Sequence, residues 1–218
     1  MKNKMITAEE AAKLVKDGSV VMIGGFMSIG TPEILMDALI ADDTKDLTVI
    51  ANDAGTQTTG IGKLVAEKRV KKLIASHIGL NPEMGRQMSA GEAEVELVPQ
   101  GSLAEMIRAG GAGLGGVLTP TGLGTDVANG KQTVVVDGKE FLLERALRAD
   151  VALIRGSIVD KAGNVFYNAT TRNFNPMMAT AADVVIVAAE KIVEVGEIDP
   201  NYVMTPYIFV DYIVGGER

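Results

Sequence analysis

Between residues 7 and 109 one unit recurs: a short apolar run, a turn rich in glycine, asparagine or proline, then a helix with its own start signal. Thr7 followed by Glu10 has capping-box spacing and predicts a helix over residues 8–16 that stops at Asp17-Gly18. Residues 19–23 read as a buried strand, 24–30 as a glycine loop, and Thr31-Pro32 as N-cap and first turn of a helix running to about Ala41. The unit repeats through strands at 47–51, 70–76 and 93–98, a short helix after the loop 52–62, a helix opened by Asn81-Pro82, and another over 102–109. Apolar strands alternating with helices in this way predict an α/β fold: a mostly parallel sheet with helices on both faces.

The rhythm stops at residues 110–116, Gly-Gly-Ala-Gly-Leu-Gly-Gly, and the glycine- and threonine-rich stretch from there to Asn129 reads as a long ordered loop. Asp137-Gly138 then turns a β-hairpin of residues 133–136 and 140–143. Strands at 151–155 and 164–167, a helix at 176–182 and a strand at 184–188 complete the expected core, in one domain spanning residues 1–218.

Charge and composition narrow the function classes. A formal net charge of −7 argues against a nucleic-acid groove or an anionic membrane surface, both of which need a basic field. With no cysteine in the chain, disulfides, thiolate catalysis and Cys-based metal sites are excluded, and no metal site is expected. Glu9, Glu10 and Asp17 interrupt any leader-like segment, and Gly24, Gly25 and Gly30 break the uncharged run that follows, so a cytoplasmic protein is expected.

The loop Gly24, Gly25, Phe26, Met27, Ser28, Ile29, Gly30 is the leading ligand-binding candidate, because a glycine turn entering a helix brings backbone N–H groups and the positive end of the helix dipole together. The fingerprint G-x-G-x-x-G is absent, so Asp53, although suitably spaced for a ribose contact, does not carry a dehydrogenase reading. Glu92, Glu94 and Glu96 read as a solvated strand edge, Glu105 as a surface partner of Arg108, and Glu144 as a strand-end residue; none is nominated as a nucleophile. His77 has no Asp or Ser at motif spacing and reads as structural, whereas Arg172 reads as a phosphate or interface contact.

The run Asp17-Gly18-x-x-Val21-Met22-Ile23-Gly24-Gly25-Phe26-x-x-x-Gly30-x-Pro32 resembles the first signature of the class I CoA-transferases, the family of the 3-oxoacid, acetate and butyrate–acetoacetate enzymes. Asn52 within Ile50–Gly55, Gln100 within Pro-Gln-Gly, the Arg108–Gly113 run, Leu118–Gly122, Ala162-Gly-Asn164 and Thr171–Asn175 follow in the order of that family's alpha subunits. The resemblance implies a three-layer fold and CoA as substrate with no permanently bound cofactor. It also implies a beta subunit that supplies a nucleophilic glutamate, within a heterotetramer. The loop 24–30 would then hold CoA, and Gln100 and Asn52 would support catalysis from strand ends, where an amide donates to a carboxylate or thioester oxygen without changing charge. Residues 110–116 would line either the acyl pocket or the subunit interface. The competing expectations are a CoA- or nucleotide-binding module without chemistry, and a self-sufficient α/β isomerase or dehydrogenase.

Overall fold

The structure, a computed structural model, describes residues 3–217. In chain order its elements are α1 (Ala8–Ala12), β1 (Val20–Ile23), α2 (Glu33–Ala41), β2 (Leu47–Ile50), α3 (Ile61–Ala66), β3 (Val70–Ala75), α4 (Pro82–Ser89), β4 (Glu94–Leu97) and α5 (Gln100–Gly111). Then come β5 (Gly116–Thr119), β6 (Thr133–Val136), β7 (Lys139–Arg145), β8 (Ala149–Asp160), β9 (Val165–Phe166), α6 (Asn175–Met178), β10 (Ala182–Val193) and β11 (Tyr212–Gly215).

The main sheet has the order β11-β10-β8-β1-β2-β3-β4, parallel throughout, with β9 added antiparallel to β8. Alternate residues of each central strand serve opposite faces. Val21, Ile23, Val49 and Leu153 pack under α1 to α4, and Met22, Ile50, Ala152 and Ile154 pack under α5 and α6. Both faces are thus covered, as a parallel sheet requires. β1 lies at the centre: the chain runs outward from it through β2 to β4, and β8 on its other side starts the run to β11. The carboxyl ends of β1 and β8 therefore flank a topological switch point, where open α/β sheets leave a crevice.

Several local expectations hold for their stated reason. Thr7 and Glu10 form the reciprocal capping box of α1, and Asn81 caps α4 by accepting from the Met84 amide. Asp137 and Gly138 both have positive φ in the turn between β6 and β7, the geometry that favours this dipeptide in a two-residue hairpin. Lys72 on β3 reaches Glu94 and Glu96 on the edge strand β4, at 2.8 and 3.0 Å. Asn81 also donates to the Ala54 carbonyl at 2.9 Å and is 1% exposed. Asn81→Ala is expected to cost about 2 kcal/mol, the sum of a lost cap and an unpaired buried carbonyl; urea unfolding within error of wild type would refute this.

Other expectations need correction. α1 ends at Ala12 and continues only as tight turns. Thr31 does not cap α2: it is buried, Pro32 takes the N-cap position, and the Ile34 amide donates instead to the Glu217 carboxylate from beyond β11. The glycines after residue 109 do not begin a loop, because Gly110 and Gly111 finish α5, where a Cβ would fall 1.8 Å from the Leu147 oxygen and 2.0 Å from the Thr180 hydroxyl. Their role is close packing. β5 forms within the stretch expected to be irregular because β7 supplies a partner, giving a small antiparallel sheet β5-β7-β6. β8 and β10 extend to twelve residues each by pairing with one another, α6 is shorter than expected, and β11 adds an edge strand beside β10 beyond the expected core.

Candidate active site

The loop after β1 is clamped from three sides. Gly25 donates its N–H to Asn173 Oδ1 at 3.1 Å, Asn173 Nδ2 donates to the Ile29 carbonyl at 2.9 Å, and Asn175 Nδ2 donates to the Gly30 carbonyl at 3.0 Å. Asn52 Nδ2 donates to the Gly25 carbonyl at 2.9 Å, and the Met27 amide donates to Asp53 Oδ2 at 2.8 Å. Gly24 is glycine because Asn175 lies against it: a Cβ there would meet Asn175 Oδ1 at 1.8 Å.

Phe26 and Ile29 exchange backbone hydrogen bonds across Met27 and Ser28, both at positive φ (48° and 69°). This left-handed pair lacks the usual Asn-Gly and costs about 1–2 kcal/mol per residue. The tip is held by the Asp53 contact and by a 2.8 Å hydrogen bond between the Ser28 and Thr59 hydroxyls. The amides of residues 24, 25, 26, 27 and 29 thus have partners within the chain, and Glu217 already occupies the start of α2. What the loop presents outward is apolar: Phe26, Met27 and Ile29 are all exposed.

Beside the loop, at the carboxyl ends of β2 and β3, Asn52, Ser76 and Gln100 form one network. Gln100 Nε2 donates to Asn52 Oδ1, Gln100 Oε1 accepts from Ser76, and the Ser76 hydroxyl also reaches the Asn52 carbonyl at 2.9 Å. Gln100 is the first residue of α5, so the turn after β4 carries its amide across the neighbouring strand end. The two amides nominated from sequence are therefore directly bonded. Gln100, with the buried Asn52 behind it, borders a cavity of about 320 Å3 whose other lining residues are Phe26, Met27, Asp53, Ser76, His77 and Leu80.

The acidic candidates lie elsewhere. Glu94 and Glu96 are on Lys72, and Glu105 pairs with Arg108. Glu92 accepts from the Arg86 guanidinium, which holds its carboxyl down at about 2. Glu144 is buried against Lys131 at 2.6 Å. Asp53 is the one carboxylate lining the cavity among the described residues, and its oxygens take the Met27 and Gly55 amides. His77 and Leu80 were missed by the sequence reading as cavity residues, since nothing in their spacing signals the turn that brings them beside Gln100.

The family model for coenzyme A transferase matches residues 5–216. The chain belongs to the coenzyme A transferase family. The transferase is 54% identical over 214 residues to the acetate CoA-transferase subunit alpha of Escherichia coli K12, covering 98% of this chain and 97% of that protein. It is also 54% identical over 214 residues to the acetoacetyl-CoA:acetate/butyrate CoA transferase alpha subunit of Clostridium acetobutylicum, covering 98% of each. Its fold matches an acyl-CoA transferase of Escherichia coli O157:H7, solved as a thioester complex with CoA, at a TM-score of 0.87 and 22% identity over 99% of this chain and 47% of that one. The transferase thus has the three-layer architecture of this enzyme family, whose common substrate is CoA.

Proposed function

We propose that this chain is the alpha subunit of a heteromeric CoA-transferase that moves CoA between a short-chain acyl-CoA, such as acetoacetyl-CoA, and free acetate or butyrate. The observation that carries this reading is the 54% identity to two alpha subunits over nearly the whole of each chain. In the reaction proposed, a glutamate of a beta subunit attacks the thioester carbonyl, giving an acyl–glutamyl anhydride and CoA thiolate. The thiolate attacks the glutamyl carbonyl of the anhydride, forming glutamyl-CoA and releasing the first carboxylate; the second carboxylate reverses the sequence. The commitment of both Asp53 oxygens to backbone amides supports a nucleophile from outside this chain.

A carboxylate attacks a thioester slowly unless the developing oxyanion meets a donor already in place. Gln100 suits that task, because its amide is fixed at both ends by Asn52 and Ser76 while one Nε2 hydrogen is left over. Asn52 acts by holding Gln100 and, through the Gly25 carbonyl, the loop 24–30. In this proposal the loop binds CoA through the apolar side chains of Phe26, Met27 and Ile29 rather than by cradling phosphate. The assembly works in the cytoplasm as a complex of alpha and beta chains; no helix among the described residues is long and apolar enough to cross a membrane.

The test is acetate-dependent consumption of acetoacetyl-CoA by this chain, by a beta subunit of the same enzyme, and by the two mixed. Activity is expected in the mixture alone. Turnover by the lone alpha chain would put the nucleophile here, and silence in the mixture with both acetate and butyrate would remove the reading.

A further inference from the structure

The polar groups around the 320 Å3 cavity can be counted against their partners. Asp53 spends one oxygen on Gly55 N at 2.7 Å and the other on Met27 N at 2.8 Å. The Ser76 hydroxyl serves Asn52 and Gln100, and Gln100 spends its oxygen and one N–H within the same network. Two donor capacities remain: the second Nε2 hydrogen of Gln100 and the imidazole of His77, whose nitrogens make no hydrogen bond among the described residues.

The position of His77 is set by its backbone. Its main chain bridges that of Asp53 across the end of the sheet. The side chain lies over Gly79, where a Cβ would fall 2.8 Å from the ring Cε1. The imidazole rests against this glycine, and the ring is exposed to the cavity rather than folded into the core. Phe26, Met27 and Leu80 make up the apolar remainder of the lining.

We propose that His77 is a specificity residue for the acyl group: its ring N–H donates to the 3-oxo oxygen of a 3-oxoacyl thioester whose thioester oxygen is held by Gln100. The proposal rests on the CoA-transferase reading above. Two separate donors beside one apolar-walled cavity fit an acyl chain with two oxygens, and an imidazole keeps at least one N–H in either protonation state. A pocket that hydrogen-bonds a substrate oxygen discriminates far better against the analogue lacking it than an apolar pocket does against one methylene.

Acetoacetyl-CoA and butyryl-CoA have acyl chains of equal length and differ at the 3-oxo group. With acetate as acceptor, kcat/KM is measured for each on the assembled wild-type enzyme and on His77→Phe and His77→Gln. His77→Phe is expected to lower the ratio of the acetoacetyl-CoA value to the butyryl-CoA value by roughly tenfold or more, and His77→Gln, which keeps a donor, to recover part of that ratio. Equal losses on both thioesters would make His77 structural, and no loss on either would make it irrelevant; both outcomes overturn the proposal. Failure of the underlying reading is distinguishable, because the wild-type assembly would then transfer CoA from neither thioester.

Discussion

Gln100→Ala in the assembled enzyme is expected to lower kcat about a hundredfold while KM for acetoacetyl-CoA moves by less than about threefold, since removing one preorganised oxyanion donor costs roughly 10²–10³ in kcat. Gln100 begins α5 at the sheet's carboxyl edge, and its side chain is pinned by Asn52 and Ser76, so no reorganisation is needed when charge develops on the thioester oxygen. Gln100→Glu should lose as much, because an ionised carboxylate accepts and cannot donate, and it adds a negative charge where the transition state already has one. Gln100 is exposed and contributes little packing, so the unfolding midpoint of the subunit should stay close to wild type. A kcat within about fivefold of wild type for both variants would remove Gln100 from the oxyanion site.

The second large effect concerns stability. Gly24→Ala is expected to destabilise the subunit by about 3 kcal/mol, although Gly24 has no left-handed backbone and alanine is the smallest addition possible. The added methyl would meet Asn175, a fully buried residue that accepts from the Arg155 amide and donates to the Gly30 and Thr171 carbonyls. Moving that side chain breaks several buried hydrogen bonds at once, and each unpaired group costs about 1–3 kcal/mol. Asn175→Ala should cost a similar amount. The double variant should be no worse than Asn175→Ala alone, because the methyl then enters space that Asn175 has vacated. Urea unfolding of the three variants reads this directly; strict additivity would mean that Gly24 and Asn175 act independently.

These two residues illustrate how differently the site was written in the sequence. Gly24 and Gly25 are legible as a loop after a strand because local chemistry marks them: an apolar run ends, glycines follow, and Pro32 starts a helix. Asn175 shows no such mark, since it lies about 150 residues away and its role exists only once β8 pairs with β1.

The sequence by itself determined whatever depends on neighbours along the chain. The capping box at Thr7, the cap at Asn81, the left-handed turn at Asp137-Gly138 and the alternation of apolar runs with helices dictate α/β layering, because each is satisfied within a few residues. The succession of motifs from Gly24 to Asn175 also carried the family resemblance. Tertiary structure alone decided what depends on distant partners. Gly110 and Gly111 proved to be helix packing rather than loop, the stretch after them gained a strand from β7, and Glu217 rather than Thr31 met the start of α2. The same holds for His77, which reads as structural in isolation and becomes a cavity wall only when the turn after β3 comes to rest beside Gln100. Hydrogen-bond demand is local to each residue, but whether another residue meets it depends on the fold of the whole chain.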